Sequence, residues 1–227
     1  MSFAEDVNNM IDKKMIVFAP HPDDETLACG GIIMKEIREG YDVYIVLMTD
    51  GRHSHDLVLG LIDPPPEAIA KIRAIEFSEA MKILGVNLNN LFLLGFEDSK
   101  LREHVTRAEE RTAQILRDVD PVEIYVPYRD DNHEDHRATY EIVVNGIKEA
   151  NLRARLCEYS VWNREPPQFG LKVLLVDIRD QLPRKLEAIS KYRSQISKCF
   201  PNQEKAILSE DFLRISSSNS ETFYTRG

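Results

Sequence analysis

Two short clusters of histidine and carboxylate residues carry the side chains of this sequence that are best suited to chemistry. His21 and Asp24 directly follow one apolar run, and His136 lies shortly after another. Two imidazoles and one carboxylate form the ligand set of catalytic zinc sites, which keep a position open for water and substrate. Iron(II) would suit the same set, so the metal stays open. The alternative is that these are ordinary polar residues at a strand end and a helix N-terminus.

Asp23 is the candidate general base. A metal ion lowers the pKa of bound water, and a nearby carboxylate can then take its proton. Because Asp23 and Asp24 are adjacent, they cannot easily ligate one ion in the same way, which favours dividing the roles of base and ligand between them. The alternative is that Asp23 only caps the helix that follows.

His133 lies three residues before His136. If both belong to the first turn of one helix, they occupy neighbouring faces, so one can bind metal while the other points at the reacting carbonyl. A charged His133 could stabilise an oxyanion or protonate a leaving amine. Asp135 would suit an orienting role beside it. The alternative is an exposed loop histidine.

The elements that must position these residues alternate along the chain. Apolar runs of strand length are continuous, which indicates strands buried on both faces. Alternation of strands and helices with short connections predicts an α/β fold with a Rossmann-like, doubly wound, mostly parallel sheet, helices on both faces, and a single domain over 1–227. The predicted strands are 14–19, 43–48, 91–94, 122–126, 155–162 and 171–178, and the predicted helices are 26–39, 67–84, 102–119, 135–150 and 181–196.

Three segments are not part of this alternation. Residues 1–13 are polar and predict a short helix or a loose lead-in, and a loop with Pro166 and Pro167 joins the last two predicted strands. The segment 49–66 has loop composition over a length that is usually functional, which predicts a lid or substrate loop. Its His53 and His55 could contact an anionic group, or they are solvated. After residue 197 only a weak helix near 204–213 is predicted.

Composition narrows the classes of partner. The 227 residues carry a formal net charge of −9, which argues against nucleic acid or an anionic membrane surface and favours a small-molecule ligand. Three scattered cysteines predict neither a disulfide framework nor a thiolate metal site, which fits a reducing cytoplasm. No apolar run reaches the length of a membrane span, and no export signal is visible. The apolar residues of 155–178 could support a homo-oligomer.

The two clusters together resemble a known family. Pro20-His21-Pro22-Asp23-Asp24-Glu25 followed by Gly30-Gly31, together with His133-Glu134-Asp135-His136, is similar to the LmbE/PIG-L family of metal-dependent N-acetylglucosaminyl deacetylases, which includes the deacetylases of mycothiol and bacillithiol synthesis. The similarity runs from about residue 14 to residue 145. It implies a zinc-dependent hydrolase that removes acetyl from an N-acetylated amino sugar or its conjugate.

The resemblance also implies roles for individual residues. It makes His21, Asp24 and His136 the zinc ligands, Asp23 the base, His133 the group that stabilises the tetrahedral intermediate, and Asp135 its supporting carboxylate. It further implies that Arg73 and Asp98 contact the substrate, although Arg73 could instead be a salt-bridging surface residue and Asp98 could simply end a turn. The sequence departs from the family at Glu134, where proline is common, and at 52–55, where Arg-His-Ser-His indicates an unusual substrate.

Two other functions fit the same residues. A metal-dependent esterase or phosphoesterase could use this scaffold, but two-metal phosphoesterases need more ligands than the three found here. A catalytically quiet sugar-binding protein could use the metal structurally. Neither Asp23 nor His133 would be needed for such a structural site, so their presence counts against that class.

Overall fold

The computed structural model describes residues 13–162 and 170–226. Residues 1–12 of the predicted lead-in and the loop with Pro166 and Pro167 lie outside the described residues. Within those ranges, none of the helices combines the length and the apolar character that a bilayer crossing requires.

Seven strands and eight α-helices follow one another along the described chain. The strands are β1 Lys14–Ala19, β2 Asp42–Thr49, β3 Leu91–Phe96, β4 Glu123–Pro127, β5 Arg155–Tyr159, β6 Leu171–Asp177 and β7 Ser220–Arg226. The helices are α1 Asp24–Arg38, α2 Asp56–Leu59, α3 Pro66–Leu84, α4 Val105–Val119, α5 Glu134–Glu149, α6 Leu182–Ile189, α7 Arg193–Ile196 and α8 Glu210–Ser216.

All seven strands form one sheet in the order β3-β2-β1-β4-β5-β7-β6. β1 to β5 are parallel, with Met15 opposite Val43 on one side and Glu123 on the other. β7 runs antiparallel to both of its neighbours. This arrangement confirms the predicted Rossmann-like, mostly parallel α/β fold.

β1 shows why its apolar run is continuous. Met15, Val17 and Ala19 pack into one hydrophobic cluster, whereas Ile16 and Phe18 pack into another. All five side chains are fully buried, because successive side chains of a strand point to opposite faces and helices cover both faces here. The sheet therefore holds the C-terminal end of β1 rigidly at the centre of the molecule.

The C-terminal part differs from the sequence prediction. The predicted helix 181–196 is two helices, α6 and α7, and the weak helix near 204–213 is found as α8 at Glu210–Ser216. β7 was not predicted at all, because Ser-Glu-Thr-Phe-Tyr-Thr-Arg lacks an apolar run. Its Glu221 side chain accepts hydrogen bonds from the backbone N–H groups of Gly31 and Ile32 and from Lys185 Nζ, at 2.7, 2.8 and 2.7 Å.

Candidate active site

The two predicted clusters lie next to each other at one edge of the sheet. The first spans the turn after β1 and the first residues of α1, and the second spans the turn after β4 and the first turn of α5. β1 and β4 are adjacent parallel strands from which the strand order runs in opposite directions. Open α/β sheets form a crevice at such a switch point, beyond the carboxyl ends of the strands. The fold thus joins residues that lie more than a hundred positions apart.

The three predicted metal ligands converge on one carboxylate oxygen. Asp24 Oδ2 lies 3.2 Å from His21 Nδ1 and 3.2 Å from His136 Nε2. All three side chains are buried. In a tetrahedral zinc site with bonds of about 2.0–2.1 Å, neighbouring ligand atoms lie roughly 3.3 Å apart. The distances from Asp24 Oδ2 to His21 Nδ1 and to His136 Nε2 therefore match those between ligand atoms around a small divalent ion.

The unsatisfied ring nitrogens of His136 also support a bound cation. Both of its ring nitrogens are buried and make no hydrogen bond of normal geometry with the described residues. A buried polar group without such a bond is costly, and a bound cation would satisfy Nε2. His21, His133 and His136 also place one donor atom each within 4.8 Å of one another, as do His21, Asp98 and Asp135. Donors for a cation are thus concentrated around His21.

Two carboxylates contact the other nitrogen of His21. Asp98 Oδ1 and Asp135 Oδ2 each lie 3.2 Å from His21 Nε2. The Asp135 carboxylate also accepts hydrogen bonds from the backbone N–H groups of Ser99 and Leu101. Since these carboxylates favour a proton on Nε2, they leave Nδ1 free to act as a ligand. Asp135 was expected to support His133, whereas its carboxylate supports His21.

Asp131 is a functional candidate that is not among the site residues predicted from the sequence. Its buried carboxylate places Oδ2 3.5 Å from His136 Nδ1, and Oδ1 accepts the backbone N–H of His133 at 2.9 Å. The residue thus orients His136 as Asp98 and Asp135 orient His21, although the two rings present opposite nitrogens to Asp24. Its position two residues before His133, in the turn between β4 and α5, was the available signal.

Asp23 has an unusual backbone conformation. Its φ is 135°, a region that favours glycine and costs a residue with a side chain about 1–3 kcal/mol. Two neighbours hold it there: Glu25 accepts its backbone N–H at 3.2 Å, and Arg73 donates to its Oδ2 at 3.0 Å. The alternative that Asp23 only caps the following helix is not supported, since its side chain makes no capping hydrogen bond to α1. The carboxylate instead faces the site.

Arg73 is buried and is bonded to the protein itself. Besides Asp23, its guanidinium donates to the carbonyl oxygens of Pro22 and Gly51 at 2.6 and 2.9 Å. Gly51 has a φ of 65°, and a Cβ there would lie 2.4 Å from Arg73 Nη1, so glycine permits this close approach. Arg73 is therefore not an exposed surface arginine. It ties the loops after β1 and β2 to α3, and its contact with substrate stays a prediction.

The carboxylates and imidazoles of the site shift one another's protonation. Burial opposes charge on His21 and His136, but the carboxylates around each ring outweigh it, raising the pKa of His21 well above its usual value and that of His136 to about 9. The paired imidazoles in turn outweigh burial and lower the pKa of Asp24 and Asp98. The carboxylates of the cluster thus stabilise positive charge, which a divalent cation would supply in place of two protons.

Asp23 and His133 shift towards their uncharged forms. Burial raises the pKa of Asp23 to about 8, against the attraction of Arg73. Burial and the neighbouring charge of His21 and His136 lower the pKa of His133 to about 4. These shifts favour a neutral ring for His133 rather than the charged ring that was expected. Because its Nδ1 accepts the backbone N–H of Asp135 at 3.2 Å, the ring proton lies on Nε2.

One cavity of about 400 Å³ connects most of these groups. It falls in the size range of small-molecule sites. Asp135 and His136 lie buried behind it. The predicted site residues in its lining are His21, Asp23, Asp24, Arg73, Asp98 and His133, and other lining residues are His53, Ser54, Leu57, Val58, Ser99, Trp162, Gln195, Ile207 and Leu208.

The segment 49–66 borders the cavity, as expected of a substrate loop, and its two histidines contact other side chains of the protein. His53 Nδ1 lies 2.8 Å from Asp56 and its Nε2 lies 3.1 Å from Glu97, which ties the loop to the end of β3. His55 is buried against the ring of Phe200. Both side chains therefore fix the loop in place.

Comparison with known proteins identifies the relationship. The family model described as "PIG-L: GlcNAc-PI de-N-acetylase" matches residues 16–147, more than half of the chain and both clusters. The chain belongs to the PIG-L family. This membership confirms the family predicted from the two motifs, and with it the prediction of a hydrolase of the N-deacetylase class.

Relatives of the PIG-L chain agree with this assignment. It is 27% identical over 220 residues to a probable N-acetyl-alpha-D-glucosaminyl L-malate deacetylase 2 of Bacillus cereus, covering 95% of this chain and 98% of the relative. The N,N'-diacetylchitobiose deacetylase of Pyrococcus horikoshii superposes with a TM-score of 0.70 at 25% identity, over 99% of this chain and 93% of that one.

The fold by itself does not determine the reaction. GalB, a 4-carboxy-2-hydroxymuconate hydratase of Pseudomonas putida KT2440, superposes with a TM-score of 0.71 over 94% of this chain and 95% of its own, at only 15% identity. That likeness concerns the fold alone. The reaction of this PIG-L chain must therefore be argued from the residues of its site.

Proposed function

We propose that this protein is a zinc-dependent deacetylase that hydrolyses the N-acetyl group of an N-acetylated amino sugar of the GlcNAc type, or its conjugate, to acetate and a free amine. One observation carries the proposal: the donor atoms of His21 and His136 meet at Asp24, which lines the same cavity as Asp23 and His133. Named deacetylases among the relatives act on substrates that contain an N-acetylated amino sugar.

His21, Asp24 and His136 would hold the metal ion. When bound, such an ion supplies Lewis acidity, which lowers the pKa of a water molecule and polarises a carbonyl group. The buried nitrogen of His136 and the 3.2 Å spacing of the donors support zinc. Iron(II) or another divalent ion would suit the same three donors.

Asp23 would move the proton. A carboxylate whose pKa is raised from its ordinary value towards neutrality can accept a proton from the attacking water and return it to the departing nitrogen. Arg73 holds the carboxylate in place through Oδ2. The strained backbone of Asp23 fits this role, since strain of this kind is concentrated at functional positions.

His133 would stabilise the negative charge that develops on the acetamide oxygen. Its neutral ring carries the proton on Nε2 and lines the cavity. A hydrogen-bond donor fixed in this way needs no reorganisation as the oxyanion forms. A neutral imidazole also avoids placing another positive charge beside His21 and His136, from which its ring centroid lies 4.7 and 5.2 Å away.

The experiment that tests this function is an amine-release assay across N-acetylhexosamines and their conjugates. We expect zinc-loaded protein to release amine and acetate in equal amounts, and excess chelator to abolish the release until zinc is restored. Phosphate release from sugar phosphates, or ester cleavage without amine release, would favour the esterase or phosphoesterase. Binding of acetylated sugars without any turnover would favour the sugar-binding protein.

A further inference from the structure

The cavity combines two kinds of lining. Polar groups of the two clusters form one part of it. The other part is apolar and comes from α2, from the segment after β5 and from the segment before α8; we call it the apolar wall, and it consists of Leu57, Val58, Trp162, Ile207 and Leu208. Leu57, Val58 and Trp162 are exposed by 65%, 57% and 38%.

Exposed apolar side chains at the rim of a cavity usually mark a ligand surface. Trp162 is also held in place: its ring centroid lies 4.7 Å from that of Phe212, and its backbone N–H donates to Asp131, the carboxylate beside His136. The aromatic face of the apolar wall is therefore fixed to the same framework as the metal ligands. A ligand would meet it without a large ordering cost.

The charged groups around the cavity disfavour a ligand with an anionic substituent. Among the described residues the cavity lining contains three carboxylates and a single guanidinium, that of Arg73, which is bonded to Asp23 and two carbonyl oxygens. The imidazole of His53 lies between the carboxylates of Asp56 and Glu97. Among the described residues of the lining, no cation is therefore free to pair with an anionic substituent, and the nearby carboxylates would repel it.

We propose that the substrate of this protein is an N-acetylated amino sugar with an uncharged, apolar aglycone, which packs on the apolar wall while the acetamide reaches Asp23 and His133. This rests on the proposed function and names its substrate class. The names of two relatives point to a malate conjugate and to a disaccharide of N-acetylated sugars, whereas the apolar wall of this chain suits an apolar aglycone.

Binding and turnover test the proposal separately. The chain has a single tryptophan, so the fluorescence of Trp162 reports occupancy of the apolar wall whether or not the protein turns over. Hexyl, phenyl, methyl and L-malyl glycosides of N-acetylglucosamine would be titrated against zinc-loaded protein below micelle-forming concentrations. We expect the hexyl and phenyl glycosides to shift the emission and to bind at least about tenfold more tightly than the methyl glycoside.

The matching kinetic measurement is the ratio of kcat/KM for the hexyl and methyl glycosides. We expect a ratio of roughly ten or more, which the double variant Leu57→Ser/Val58→Ser reduces towards one. Both side chains are more than half exposed, so the variant should fold, as circular dichroism would show. Val173→Ser is the matched control, since Val173 is 60% exposed on β6 and outside the cavity lining.

The outcomes separate the two levels of the proposal. Equal affinities for the hexyl and methyl glycosides, or tightest binding of the malyl glycoside, would overturn the apolar aglycone, while amine release from the same compounds would leave the deacetylase intact. Absence of amine release from every glycoside, with preferential binding of the hexyl compound, would instead overturn the deacetylase.

Discussion

Asp131 Oδ2 lies 3.5 Å from Nδ1 of His136, and both side chains are completely or almost completely buried. The carboxylate therefore favours the tautomer with a proton on Nδ1 and leaves Nε2 directed at Asp24. The two imidazoles of the candidate metal site share this pattern. In each ring one nitrogen faces Asp24 and the other contacts a carboxylate, which is Asp131 for His136 and both Asp98 and Asp135 for His21.

Asp131→Asn should weaken zinc binding. The amide keeps the size of the side chain and can still accept the backbone N–H of His133, but it loses the charge that orients His136. We expect the affinity for zinc, measured by competition with a chromogenic chelator, to fall about 10–100-fold. Asp130→Asn, at the exposed neighbouring position, is the control. An affinity equal to that of the wild type in Asp131→Asn would show that the carboxylate does not orient the ligand.

Zinc binding should release protons. In the metal-free protein the pKa of His136 is raised to about 9 and that of His21 well above its usual value. At pH 7 both rings are therefore positively charged, with protons on both nitrogens, and the metal must displace one proton from each. We expect about one to two protons per zinc at pH 7. Calorimetry in buffers of different ionisation enthalpy measures this number. A value of zero would mean that the rings are already neutral.

The same linkage sets the pH dependence of affinity. As pH rises, less free energy is needed to remove the protons, so the apparent affinity for zinc should increase about 10–100-fold per pH unit between pH 6 and 8. Chelator competition at several pH values would measure the slope. A flat profile over this range would contradict the raised pKa values.

Asp23→Ala should separate catalysis from metal binding. Loss of the candidate base should reduce kcat by about 10²–10⁴-fold, while zinc stays bound because His21, Asp24 and His136 remain. His136→Ala should instead lose the metal. Zinc content after gel filtration and turnover of the best glycoside are the two measurements. Near-normal turnover in Asp23→Ala would refute the assigned role.

Asp23→Gly should be more stable than Asp23→Ala. Both variants remove the carboxylate, but only glycine adopts a φ of 135° without steric cost. We expect a difference of about 1 kcal/mol or more in the free energy of unfolding, measured by urea titration of the metal-free proteins. Equal stability of the two variants would mean that the backbone relaxes when the side chain is lost.

Glu36→Gln should stabilise the protein at alkaline pH. Burial in α1, together with Glu123 and Glu39, raises the pKa of Glu36 to about 7. The wild type therefore loses stability as pH rises from about 4.5 to 7, because the unfolded chain ionises first. We expect the gain from Glu36→Gln in the free energy of unfolding to be on the order of 1–2 kcal/mol larger at pH 8 than at pH 5. The exposed Glu110→Gln should show no such difference.

The parts of the molecule that could be predicted are those with a local signal. The apolar run of β1 ends at Ala19 in both sequence and structure. Burial on both faces of the sheet requires the run, and the polar residues of the first cluster follow it. β7 carries no such signal, because its pairing with β5 and β6 and the contacts of Glu221 arise only in the folded chain.

The same distinction applies within the site. The metal ligands follow from residue types at strand ends, whereas the partners of those ligands depend on three-dimensional packing. Asp135 stands two residues after His133, yet its carboxylate contacts His21. The sequence is equally compatible with an exposed Arg73. Its burial against Pro22 and Gly51 depends on tertiary packing.

The position of β7 has a consequence for how the chain is made. β6 leaves the ribosome before β7, yet in the sheet its hydrogen-bonding partner is β7, which lies between it and β5. Until β7 has been synthesised, β6 has no place in the sheet and α1 lacks the Glu221 contacts beside its Gly31 and Ile32. Nascent chains that stall before residue 220 should therefore expose an unpaired strand edge, which attracts other strands and chaperones.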